Sequence, residues 1–98
     1  MPLDRTCKPK RHSEVSVDEL KDGCVLYDSE NELVHILNAT AAAIYLSCDG
    51  RRSIEEINRQ IAQTFHRPPD EILSDTERTI IELEQKGLIT WETQGENP

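Results

Sequence analysis

Residues 33–50 read LVHILNATAAAIYLSCDG, and the order of residue types within them decides how the rest of the chain is arranged. Leu33 to Leu37 are rich in leucine and β-branched side chains, which favour a pleated strand. Asn38 and Thr40 follow at once, and their side-chain oxygens are suited to accept the orphan N–H groups at a helix start. An alanine-rich run then predicts a helix from about Ala39 to Cys48. Asp49-Gly50 stops it, because glycine tolerates the left-handed backbone that ends helices. A strand is thus joined to a helix with almost no linker.

C-terminal to this unit the spacing predicts two more helices. Ser53-Ile54-Glu55-Glu56 is a capping box, and Ile54, Ile57, Ile61, Ala62 and Phe65 form one apolar face, with Glu55, Asn58, Arg59 and Gln63 opposite. His66-Arg67-Pro68-Pro69-Asp70 breaks the pattern, since proline lacks an N–H and disfavours helix in the residue before it. The third helix spans about Asp70 to Lys86, with a core stripe of Leu73, Thr76, Ile80 and Leu83, and ends at Gly87. Leu88 to Glu92 reads as a last extended segment.

N-terminal to the unit, Val15, Val17 and Leu20 suit a short strand that runs to the turn signal Lys21-Asp22-Gly23. Cys24 to Tyr27 is the next strand. Asp28-Ser29-Glu30-Asn31 turns it into the strand at 33–37 as a hairpin. The reading is an α+β domain of winged-helix-like type, a three-stranded antiparallel sheet followed by three helices. Residues 1–13 read as a flexible N-terminal tail, 14–92 as the domain, and 93–98 as a flexible C-terminal tail.

Ninety-eight residues make one domain with a modest core, too small for a deep, walled active site. The formal charge is −8, and it is uneven, because Arg5, Lys8, Lys10 and Arg11 outweigh Asp4 and Glu14 near the N-terminus. So acidic a body repels phosphate backbones and anionic membranes, which argues against nucleic acid and membrane as partners. The 3 cysteines, Cys7, Cys24 and Cys48, lack CxxC spacing and indicate neither a disulfide framework nor a zinc site. No run approaches the about 18 apolar residues of a membrane span. Asn38-Ala39-Thr40 matches a glycosylation sequon but reads as a helix cap without a secretion signal. A cytoplasmic protein is expected.

Catalysis needs a base, a nucleophile or a metal, and none converges here. His12, His35 and His66 fall on separate elements, and first-turn acids such as Glu55, Glu56, Asp70 and Glu71 complement helix dipoles without any chemistry. No phosphate loop or HExxH motif is present. No enzyme activity, cofactor or metal is expected. Two features point elsewhere. The strand at 33–37 is apolar on both faces, at Leu33, Val34, Ile36 and Leu37, and should be covered by something. Ile81 falls away from the core stripe of the third helix, among Asp70, Glu77 and Glu84. Both fit a groove between that strand and that helix, where an extended peptide can be added as another strand. The candidate peptide-binding residues are Leu33, Val34, His35, Ile36 and Leu37 on the strand, and Leu73, Glu77, Ile80, Ile81 and Glu84 on the helix.

The run His35 to Ile44, then Cys48-Asp49-Gly50, Ser53-Ile54 with Ile57, Asp75 before Ile80, and Leu83 with Gly87-Leu88-Ile89 resembles the PqqD family over about residues 15–90. The resemblance implies a RiPP recognition element, a peptide chaperone that binds the leader of a ribosomally made precursor. It also implies a partner modifying enzyme, often a radical SAM protein. In relatives the leader adds to the third strand and packs against the third helix. Ser47 and Leu46 depart from the family pattern, which is usually apolar at the first position and often polar at the second. Thr76, Glu77 and Thr79 make the third helix more polar than usual.

Two other readings remain open at this point. The helix order also suits a winged-helix nucleic-acid binder, which the acidic charge opposes. The exposed strand could instead pair with itself in a homodimer.

Overall fold

The computed structural model describes residues 6–92. In chain order the elements are β1 (Lys8–Arg11), β2 (Val15–Leu20), β3 (Gly23–Asp28), β4 (Leu33–Asn38), α1 (Ala39–Leu46), α2 (Ile54–Thr64), α3 (Pro69–Gln85) and β5 (Ile89–Glu92). β2, β3 and β4 form an antiparallel sheet in that order, and the helices follow it, giving the α+β, winged-helix-like class. A second, two-stranded sheet pairs β1 with β5. The core lies between the three-stranded sheet and the helices, where Leu26, Ile44, Tyr45, Ile57, Ile80 and Leu88 are all buried.

Local chemistry explains most boundaries. The loop after β3 is held by Asp28, whose buried carboxylate accepts the side-chain amide of Asn31 at 2.8 Å and its backbone N–H at 3.2 Å. Those hydrogen bonds hold the Asp28 carboxyl below its usual range. Asn38 caps α1 by accepting Ala41 N–H at 2.9 Å. The capping box on α2 is complete, with Glu56 N–H donating to Ser53 Oγ and Ser53 N–H to Glu56 Oε1. α2 and α3 end in the same double bond. Arg67 N–H reaches Ala62 O and His66 N–H reaches Gln63 O; Leu88 N–H reaches Leu83 O and Gly87 N–H reaches Glu84 O. This motif needs a left-handed residue, supplied by Gly87 at φ 73° and, less comfortably, by His66 at φ 57°.

Several expectations are corrected. Residues 8–11, read as part of a loose tail, form β1. Its register with β5 runs from Lys8 opposite Glu92 to Arg11 opposite Ile89. Its other side is laced to the α1–α2 loop, with Gly50 N–H on Pro9 O and Arg11 N–H on Cys48 O. The Arg11 guanidinium also donates to Leu46 O at 2.6 Å, placing a cation at the C-terminus of α1. A four-residue charged strand holding a proline has no local periodicity, so pairing that spans the whole chain leaves no mark on its neighbours. The expected C-terminal tail, 93–98, lies outside the described residues, as do 1–5.

α1 ends at Leu46, two residues early, with Ser47 as its C-cap, and the Ser47 hydroxyl donates back to Ala43 O at 2.9 Å. This bond lets Ser47 be buried where an apolar residue was expected, and Leu46 packs half-buried against the core. Phe65, placed on the α2 apolar face, caps the helix and is 36% exposed. Asn58, placed on the polar face, is buried. Its Oδ1 accepts Thr76 Oγ1–H at 2.7 Å and its Nδ2 donates to Pro69 O at 3.0 Å, tying α2 to α3. The α3 stripe is Ile72, Thr76, Ile80 and Leu83, with Ile72 in the place given to Leu73.

Candidate functional site

β4 lies at the edge of its sheet. It pairs with β3 from Leu33 opposite Asp28 to Asn38 opposite Gly23, and no other backbone among the described residues bonds Leu33–Leu37. An edge strand leaves alternate N–H and C=O groups available to another chain. Proteins usually blunt such edges with charge or proline, and this one carries neither. Leu33 is 51%, Val34 59% and Ile36 77% exposed. Strand alternation sends Leu33, His35 and Leu37 to the helix side of the sheet and Val34 and Ile36 to the other. Leu37 is buried, whereas His35 is half-buried and its Nε2 is out of solvent without a hydrogen-bond partner among the described residues.

Beside the C-terminal end of β4 runs a trough of about 350 Å³. Leu37, Asn38, Thr40 and Ala41 form one side, and Asp75, Arg78, Thr79, Glu82 and Leu83 of α3 with its C-cap Lys86 form the other. The trough exists because the Asn38 cap swings the chain from β4 directly into α1, which holds Thr40 and Ala41 next to the strand end. On the α3 wall Asp75 and Arg78 pair at 2.9 Å. Glu82 and Lys86, one turn apart, have no side-chain partner among the described residues.

The strand half of the expected site therefore lies where a peptide can reach it, while the helix half is differently phased. Ile80 is fully buried in the core. Leu73 lines a separate recess with Asn58, Arg59 and Asp70. Glu84 accepts the Trp91 indole N–H at 3.0 Å, on the β5 side. Glu77 and Glu84 stand roughly 140–160° around the helix from Thr79, and Ile81 is diametrically displaced as well. The helix wall of the trough is lined by Asp75, Arg78, Thr79, Glu82 and Lys86, which the sequence did not single out as candidate peptide contacts. The signal was present: with Ile72 in place of Leu73, the buried stripe rotates and this polar row becomes the face next to it.

The remaining reactive side chains are spread or shielded. Burial raises the thiol of Cys48 to about 12, and burial with the nearby Glu19 raises that of Cys24. Among the described residues no group of three or more His, Cys, Asp or Glu is placed to hold a metal, and no helix is long and apolar enough to cross a membrane.

A winged-helix-like α+β domain whose β4 sheet edge lies open beside a helix-walled trough is the class defined by this fold and site. The chain belongs to the PqqD family: residues 23–89 match the family described as coenzyme PQQ synthesis protein D (PqqD). It is similar to the PqqA binding protein of Bradyrhizobium diazoefficiens (strain USDA 110), with 28% identity over 80 residues, covering 82% of this chain and 76% of that protein. Among solved structures it resembles TbiB1 in complex with the TbiA(beta) leader peptide, with TM-score 0.72 and 19% identity over 91% of this chain and 99% of that one. A lasso peptide synthetase B1 complexed with the leader peptide also matches, with TM-score 0.72 and 20% identity, covering 85% of this chain and 98% of that one. At such identities the two structures establish a shared fold.

Proposed function

We propose that this protein is a non-catalytic peptide chaperone that binds the leader of a ribosomally made precursor peptide and presents the remainder to a modifying enzyme. The leader adds as a strand to the free edge of β4, and its side chains on the helix side settle into the trough against α3. The observation that carries this reading is the unpaired, uncharged edge of β4 beside an open trough, in a chain of the PqqD family. Backbone pairing supplies affinity that is indifferent to sequence, and the trough supplies selection at alternate residues. The names of the relative and the two structures, which bind PqqA or a leader peptide, support the same assignment. A role without chemistry is supported by the shielded thiols and by histidines on separate elements.

The test is a titration of the isotope-labelled chain with PqqA, the peptide named for its relative, followed by amide shifts. The expected result is perturbation of Leu33–Leu37 together with Asp75–Lys86. Shifts confined to β2, or to the recess lined by Leu73 and Arg59, would remove strand addition to β4 as the mode of binding.

A further inference from the structure

α3 and its C-cap present the trough with one residue or adjacent pair per turn: Asp75, then Arg78 with Thr79, then Glu82 with Leu83, then Lys86. The helix advances about 5.4 Å per turn, and Glu82 to Lys86 is about 6 Å along its axis. A strand places residues i and i+2, which share one face, about 6.6–6.8 Å apart. An added strand that runs along α3 therefore meets successive turns with alternate residues, close to one for one.

The charges along this row are not equivalent. Asp75 and Arg78 neutralise each other at 2.9 Å. Glu82 and Lys86 have the i, i+4 order that usually pairs on a helix, yet their side chains stand more than 4 Å apart and line the trough unpaired. Next to them the floor is apolar, formed by Leu37, Ala41 and Leu83. Resting on the strand-addition reading above, we infer that the trough selects leaders carrying a basic and an acidic residue two positions apart on the helix-facing side, beside a large apolar residue. Glu82 reads the basic residue and Lys86 the acidic one. The apolar residue covers Leu37, Ala41 and Leu83. An unlike-charge pair in a fixed order also sets register: a slip of two residues puts like charges together, and a slip of one turns them to the opposite face.

The experiment uses two fluorescein-labelled ten-residue synthetic peptides with Thr at alternate positions. Their other face carries Leu, Lys and Glu, and they differ only in whether Lys precedes or follows Glu. Binding is read by anisotropy, and amide shifts of the labelled chain are recorded in parallel. One order is expected to bind about three- to tenfold more tightly, the range for two exposed ion pairs acting together. The E82K/K86E double variant should reverse the preference. Equal affinity for the two orders, or a preference that survives the charge swap, overturns the inference while leaving strand addition standing if Leu33–Leu37 still shift. Absence of binding with silent β4 amides overturns strand addition and this inference together.

Discussion

The hydroxyl of Thr76 on α3 donates to the side-chain carbonyl of Asn58 on α2 at 2.7 Å, in a contact wholly removed from solvent. The other end of the same amide holds Pro69 O, at the first residue of α3. One side chain thus sets both the spacing of the two helices and the point where the second begins. Replacing it by an apolar isostere strands the buried Thr76 hydroxyl, at about 1–3 kcal/mol, and removes the tie to Pro69 O on an exposed residue. Asn58→Leu is expected to lower stability by about 2–3 kcal/mol, a fall of roughly 10–20 °C in Tm for a domain of this size. Adding Thr76→Val should recover part of the loss, because the stranded hydroxyl is then gone. Thermal unfolding of the single and double variants checks this.

Gly23 opens β3 at φ 154°, and a Cβ built there would lie 2.0 Å from Leu37 O. The obstacle is backbone of the paired strand, so no side-chain rotation relieves it. Gly23→Ala should cost at least about 3 kcal/mol and accelerate amide exchange in β3 and β4. Gly87→Ala is the control. Gly87 has φ 73° with nothing within 4 Å, so only backbone strain of about 1–2 kcal/mol is introduced.

His66 occupies the left-handed position that closes α2. A non-glycine residue there costs about 1–2 kcal/mol, of which glycine's greater freedom in the unfolded chain takes back about 0.5–1. His66→Gly should therefore stabilise the protein by about 0.5–1 kcal/mol, and His66→Val should destabilise it. Denaturant titration of both variants separates the signs.

Cys48 is fully buried and its thiol is pushed up to about 12, against an ordinary value of 9.0. Between these values the unfolded chain loses the proton and the folded chain keeps it, so stability is complete below pH 9 and declines as pH rises towards 12. The decline is up to about 1.4 kcal/mol per pH unit from this group. Tm measured from pH 8 to 11 should fall, and more shallowly in Cys48→Ala. At pH 8 a thiol reagent should label half-buried Cys7 well before Cys24 or Cys48 in the folded state.

Capping chemistry made much of this architecture legible. Asn38, the Ser53/Glu56 box, Pro69 and Gly87 announce helix limits through side chains that act within a few residues. The apolar strand at 33–37 was equally plain, because its excess of exposed leucine and isoleucine conflicts with the polarity around it. What was illegible depends on distant partners. β1 is a strand only because β5 and the loop after α1 flank it. Asn58 is indistinguishable from a surface residue until Thr76 and Pro69 arrive. The buried stripe of α3 was misjudged by one step of helix phase at its start: Leu73 and Ile72 are adjacent apolar residues, and choosing the wrong one rotates the reading there by about 100°.

The pairing of Lys8 with Glu92 brings the two ends of the described fold to one place. The domain can therefore be spliced into or onto another polypeptide at that seam, as a cassette, while the β4 rim keeps its own geometry. Attachment and recognition are thus separable properties of this molecule.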